Sequence, residues 1–158
     1  MRKLWWIAAV TVIVDQAVKA LCMWLTESVT VIPGVLALTY TQNTGMAFSL
    51  FSGRAWVLGV VSAVCILTGW LVLRRYTLGR WSHVGAMLML GGAVGNMIDR
   101  FLRGYVVDMF QTLFVEFAVF NVADAALTVG TALMAISLLF RPQEWREKTT
   151  TKEAEKKG

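Results

Sequence analysis

Four apolar runs, residues 4–25, 56–73, 84–98 and 117–140, take up most of this chain and decide what it can become. A helix needs about 20 apolar residues to cross the hydrocarbon core of a bilayer. Inside that core each backbone N–H and C=O must be paired within the protein, which leaves helices and closed barrels as the only spanning structures. Runs of this kind predict membrane-spanning helices. The composition agrees, because 57% of the 158 residues are hydrophobic and 16% charged, against roughly 45–50% apolar in a soluble domain. Four helices and their connections leave no room for a separate soluble domain. One transmembrane domain, residues 1–140, is expected, followed by a charged cytoplasmic tail, residues 141–158, whose mixture of Lys and Glu suits a solvated segment.

The first run follows Arg2 and Lys3 and could be taken for a cleaved signal peptide. Asp15, Gln16 and Lys19 interrupt it and no small-residue cleavage site follows, so a retained helix is expected. The second run has no charged residue and ends at Arg74, Arg75 and Arg80, the third is rich in Gly and Met, and the fourth stops at Arg141 and Pro142. The formal charge of +5 could suggest nucleic acid. An excess of Lys and Arg in cytoplasmic segments is also what sets membrane topology, and that explanation is preferred; no nucleic-acid partner is expected. Arg2, Lys3, Arg74, Arg75, Arg80, Arg141, Arg146 and Lys148 then lie on the cytoplasmic side with both termini, and residues 26–55 and 99–116 face outward, with Arg54, Arg100 and Arg103 as their strong bases. Trp5, Trp6, Trp24, Trp56 and Trp81 fall near the predicted span ends, as interfacial anchors do. In the outer segment, residues 36–40 alternate in a period of two, Asn43-Thr44-Gly45 reads as a turn, and Met46, Phe48 and Leu50 resume the alternation. A small sheet on the outer membrane surface is the expectation.

The chemistry rests on carboxylates. The chain has four aspartates, Asp15, Asp99, Asp108 and Asp124, each within or beside an apolar run, where a charge is costly and usually faces the interior of a bundle to some purpose. Asp15 and Lys19 stand at i and i+4, the spacing of an ion pair on one helix face, and a structural role explains them. Asn96, Asp99 and Arg100 share the outer end of the third run; Asp99 can hold Arg100, and the pair serves either as scaffold or as substrate contact. Asp108 lies in a short apolar segment after the third run and could be a cap. Asp124 follows Asn121 by three residues near the outer end of the fourth. If Asp108 and Asp124 meet, like charges so close share one proton, and the pair can act as base and acid on a water and a scissile carbonyl. Spacing alone does not bring them together. Rival chemistries are poorly supplied: His83 lies beside the cytoplasmic loop and reads as an interfacial residue. Cys22 and Cys65 read as small buried hydrophobes, so neither a Ser-His-Asp triad nor a zinc set can be assembled. Two other classes compete with an enzyme, a small transporter or proton relay through Asp15, Lys19, Asp99 and Arg100, and a noncatalytic lipid-binding module.

Five blocks in order carry a resemblance: residues 15–19 (DQAVK), 43–48 (NTGMAF), 91–100 (GGAVGNMIDR), 104–108 (GYVVD) and 120–124 (FNVAD). Together they resemble the lipoprotein signal peptidase family, also called signal peptidase II, bacterial inner-membrane aspartic proteases. The resemblance implies that Asp108 and Asp124 are the catalytic dyad. It further implies that Asn43, Asn96, Asp99, Arg100 and Asn121 line the site and hold substrate, and that Asp15 and Lys19 support it. It implies a diacylglyceryl-modified prolipoprotein as substrate, cut just before the lipid-bearing cysteine, sensitivity to a globomycin-type inhibitor, contact with membrane lipid, and an active site near the outer face of a multi-pass protein. No metal or other cofactor is implied, and a monomer is expected. The expected fold is an all-α membrane protein of four transmembrane helices, with a small β-sheet cradle and a short helical segment on the outer, periplasmic side.

Overall fold

The computed structural model describes residues 4–45 and 55–147. The expected second half of the outer alternation (Met46, Phe48, Leu50), the bases Arg2, Lys3, Arg54 and Lys148, and the rest of the charged tail lie outside the described residues. Four long helices form, α1 (Trp5–Cys22), α2 (Ala55–Leu73), α3 (Arg80–Leu102) and α4 (Val122–Phe140). Three of them, α1, α2 and α4, are long and apolar enough to cross a membrane, with mean hydropathies of 1.4, 2.3 and 1.8. Their outer faces carry large exposed hydrophobics such as Leu21, Val64, Leu67 and Leu139, a surface that suits lipid far better than water.

The helix α3 does not join that group, and its place in the bundle gives the reason. It packs against α1, α2 and α4 alike. Its polar and glycine residues therefore meet protein, and Ser82, His83, Gly91, Gly92, Gly95, Asn96 and Asp99 are all buried. At 23 residues it is about 34 Å long at the α-helical rise, well beyond the predicted run 84–98. Close approach is written into its sequence. A side chain on Gly95 would put its Cβ 2.6 Å from Asp15 Oδ2, and one on Gly92 would run into the carbonyl oxygen of Ala123. These two positions let α1 and α4 press onto α3. The buried stripe of α1, Ala8, Thr11, Asp15, Lys19 and Cys22, recurs at three and four residues, the spacing of one helix face.

An antiparallel sheet covers the end of the bundle where α3 stops and α4 begins. Its strands β1 (Val29–Ile32), β2 (Leu36–Asn43) and β4 (Val106–Thr112) lie in the order β1-β2-β4. The alternation at 36–40 thus belongs to a real strand, and the expected turn follows it, with Gly45 N donating to Asn43 Oδ1 at 3.0 Å, a side-chain-closed turn. The segment around Asp108 is a strand rather than a loop that it might cap: β4 pairs with β2 as Thr41↔Asp108 and Asn43↔Val106, with a register shift between Leu38 and Thr41. The fourth helix starts at Val122, not at 117, because Phe120 forms an isolated antiparallel bridge to Phe110 that draws the chain into extended form first. A short outer helix is not present among the described residues. At the opposite end, β3 (Tyr76–Thr77) pairs with β5 (Arg146–Glu147) beyond a 3-10 turn at Pro142–Glu144. Cys22 is buried within the protein, whereas Cys65 lies on the exposed apolar surface of α2. His83 is buried in the first turn of α3, next to the loop that joins it to α2.

Candidate active site

The first turn of α4 organises the site. Asn121 is its N-cap: Asn121 Oδ1 accepts from Asp124 N at 2.8 Å, and Asp124 Oδ2 accepts from Asn121 N at 3.3 Å. This reciprocal box satisfies two donors left free where a helix begins. A third, Ala123 N, donates to Asp15 Oδ1 at 2.9 Å, so α1 supplies part of the cap of α4. The same Asp15 takes Lys19 Nζ at 2.8 Å. Lys19, fully buried, also reaches Asp99 Oδ2 at 2.9 Å and Asn96 Oδ1 at 3.0 Å. A buried ammonium is tolerable only with such complete pairing.

Two asparagines join this cluster to the two aspartates. Asn96 Nδ2 donates to Asp124 Oδ1 at 2.8 Å. Asn121 Nδ2 donates to Asp108 Oδ1 at 2.6 Å and to Asn96 Oδ1 at 3.1 Å. From β2, Asn43 Nδ2 donates to Asp108 Oδ2 at 3.0 Å, a diagonal contact that the strand pairing allows. Asp108 and Asp124 both border one cavity of about 880 Å³, with Asn43, Asn96 and Arg100 also on its wall. Burial pushes the Asp108 carboxyl up from its ordinary 3.8 to about 6; the Asp124 charge adds to the rise, and the Asn43 and Asn121 amides oppose it. A carboxyl so placed holds a proton that a solvated one would lose.

Of the nine residues singled out in the sequence, five border the cavity: Asn43, Asn96, Arg100, Asp108 and Asp124. Asn121 stands behind the aspartates, fully buried. Asp15, Lys19 and Asp99 lie deeper, at zero exposure. The pairing of Asp99 differs from expectation. It does not hold Arg100 but takes Lys19, Arg103, Gln16 Nε2 at 3.1 Å and the backbone N of Val107 at 3.2 Å. Neighbours on a helix point about 100° apart, so Asp99 turns to the core while Arg100 turns to the cavity. The Nε of Arg100 is buried with no hydrogen-bond partner among the described residues. Two residues to which the sequence gives no role in the site join the network. Gln16 bridges Asp15, Asp99 and the carbonyl of Gly95, and Arg103 donates to Asp99 and, at 3.1 Å, to Gln16 Oε1. Arg103 stands at i+4 from Asp99, the same spacing that singled out Lys19 beside Asp15. No group of His, Cys, Asp and Glu among the described residues could hold a metal ion.

A protein-family model described as signal peptidase (SPase) II matches residues 7–140. The lipoprotein signal peptidase of Nostoc sp. is 41% identical over 146 residues, covering 89% of this chain and 92% of that protein. That of Enterococcus faecalis is 41% identical over 147 residues, covering 89% and 90%. A solved structure described as a bacterial membrane enzyme, obtained by the in meso method at 2.3 Å, superposes with a TM-score of 0.80 at 31% identity and covers 91% of this chain and 92% of that one. A second, at 1.9 Å, gives 0.77 at 32% identity, covering 85% and 91%.

Proposed function

Because the chain belongs to the signal peptidase II family, a peptidase family that removes signal peptides from prolipoproteins, we propose that it works as an intramembrane aspartic endopeptidase with Asp108 and Asp124 as its dyad. The observation that carries this reading is the amide bridge: two carboxylates from different elements face one cavity and are tied together through Asn121 and Asn96. Asp124, in the first turn of α4 where the helix dipole favours negative charge, is the ionised partner. Asp108, whose carboxyl is pushed up to about 6, carries the shared proton. Asp124 takes a proton from water as the water oxygen bonds to the scissile carbonyl carbon, and Asp108 gives its proton to the carbonyl oxygen as charge builds there. Collapse of the tetrahedral species breaks the C–N bond and returns a proton to the leaving amine, with no covalent enzyme intermediate.

The substrate we assign is a diacylglyceryl-modified prolipoprotein, cut before the lipid-bearing cysteine. The cavity is lined both by polar side chains of β2, Thr41, Gln42 and Asn43, and by the apolar Phe117, Leu127 and Val129 from the segment before α4 and from α4 itself. That mixed lining suits a substrate that carries both a peptide and acyl chains. Arg100 and the asparagines serve as substrate contacts, Asp15, Lys19 and Asp99 as their support, and a globomycin-type peptide competes for the same cavity. The basic residues at the far end of the bundle favour cytoplasmic termini and an outward-facing site in the bacterial inner membrane. A transporter is less well supported, since the buried charged residues gather at one depth, around the start of α4. The test uses one prolipoprotein in two forms, with and without the diacylglyceryl group, given to purified wild type and to Asp124→Asn. Wild type should cut only the modified form and Asp124→Asn neither. Equal cutting of both forms would remove the lipid-modified substrate, and cutting by the variant would remove the dyad.

A further inference from the structure

At the end of the bundle remote from the aspartates, α3 begins and α4 ends. Trp81 precedes Asn96 by 15 residues on α3, about 22 Å along the helix axis. There Leu133, Ile136 and Ser137 share one face of α4 with Arg141 just past its end, and with Trp81 they enclose a second cavity of about 310 Å³. Trp81 and Ile136 are 51% and 55% exposed, so this slot opens sideways, where a bilayer would meet it.

Its polar atoms are few, and one is already engaged. Ser137 Oγ lies 2.5 Å from Ser82 Oγ and accepts from Trp145 Nε1 at 3.3 Å. The guanidinium of Arg141 is what remains. Its Nη1 is held by Glu144 Oε1 at 3.3 Å, a contact that keeps the fork at the mouth of the slot while other N–H groups stay open among the described residues. Arg80 stands beside Trp81 at the head of α3 and adds positive charge at this end. Arg141 and Glu144 lie beyond the stretch 7–140 that the family model covers, and the peptidase reading gives them no role. An apolar slot open to hydrocarbon, with a cation where the bundle meets water, is complementary to a lipid that has a greasy chain and an anionic head.

We propose that this slot binds one anionic phospholipid, with an acyl chain along Trp81, Leu133 and Ile136 and the head-group phosphate on Arg141. The experiment delipidates the full-length protein in mild detergent and offers phosphatidylglycerol or phosphatidylcholine at equal mole fraction. Native mass spectrometry counts the lipid retained. Wild type should retain phosphatidylglycerol about fivefold more than phosphatidylcholine, the factor expected for one base at a charged lipid surface. Arg141→Gln should lower phosphatidylglycerol to the phosphatidylcholine level, and Ile136→Trp, which fills the slot, should lower both. Both variants should elute as monodisperse protein and keep wild-type cleavage in detergent. No preference in the wild type, or a preference that survives both substitutions, would overturn the proposal. Thermal stabilisation by inorganic phosphate equal to that by phosphatidylglycerol would also overturn it, in favour of a simple anion site. Lipid retention is read without any cleavage, so it stands or falls apart from the peptidase reading.

Discussion

Asn96 has one acceptor atom and a two-donor amide, and its neighbours leave it a single orientation. The ammonium of Lys19 and the amide nitrogen of Asn121 can only donate, and both reach Oδ1, so the Asn96 NH₂ must face Asp124. Asn121 is fixed the same way, since its oxygen is committed to the α4 cap and its nitrogen must turn to Asp108. A buried lysine outside the cavity thereby sets the geometry of the carboxylates that border it. Asp108 is the group whose titration should report this. Its carboxyl is raised to about 6, first by burial and then by the Asp124 charge. The sign follows: between its ordinary 3.8 and about 6 the native residue keeps its proton, and the stability tied to that proton fades as pH rises through about 6. The protonated-carboxyl infrared band of Asp108, assigned by its loss in Asp108→Asn, should disappear around pH 6. In Asp124→Asn, which removes a like charge, it should disappear at lower pH. An unchanged midpoint would mean that the two carboxyls do not sense each other.

At the scale of elements, much of the bundle is legible because apolar runs and helices coincide wherever lipid is the neighbour: α1 and α2 differ from the runs 4–25 and 56–73 only at their ends. The reading fails where protein replaces lipid. The helix α3 extends from Arg80 to Leu102, past both ends of its run, since its buried Ser, Asn and Asp find partners on α1 and α4 and need no apolar side chain. The run 117–140 begins with residues that belong to the sheet side of the molecule, and apolar content alone cannot distinguish an extended segment from the helix after it. Strand β4 was missed for the same reason, its seven residues, Val106–Thr112, being too short for a period to show against a buried face. The glycines of α3 give the sharpest test of the packing. Gly92→Ala places a methyl group against a backbone carbonyl of α4 that cannot swing aside, and a loss of about 1–3 kcal/mol in unfolding free energy is expected. The control is Gly69→Ala on α2, where nothing lies within 4 Å of the added atom; thermal or SDS unfolding should leave it unchanged. Equal effects at the two positions would refute the close approach of α3 and α4.

For the whole molecule, the basic residues Arg74, Arg75, Arg80, Arg141 and Arg146 gather at the end away from the aspartates, which predicts that this end is cytoplasmic. In a Cys22→Ala, Cys65→Ala background, Leu113→Cys should react with a membrane-impermeant maleimide added to intact spheroplasts, and Gln143→Cys should react only after lysis. Labelling of Gln143→Cys in intact spheroplasts would invert the topology. The four aspartates are legible from charge in an apolar setting, yet spacing alone, without the family resemblance, does not bring Asp108 and Asp124 to one cavity, because Asp108 comes from a strand and Asp124 from a helix and only the assembled fold sets these two on its wall. The sequence names Gln16 and Arg103 without a place in the site: the partners of Gln16, Asp99 and Arg103, lie far along the chain, whereas Arg103 does carry a signal in its i+4 spacing from Asp99. The claim that the two aspartates act as one unit is tested most directly by measuring cleavage of a diacylglyceryl-modified prolipoprotein by wild type, Asp108→Asn, Asp124→Asn and the double variant. Groups that act as a unit are strongly non-additive. Each single substitution should therefore lower the rate by about 10²–10⁴-fold, the range for loss of a general acid or base, and the double variant should be no slower than the worse single one. Multiplying losses, or one single variant that keeps wild-type activity, would contradict a shared dyad.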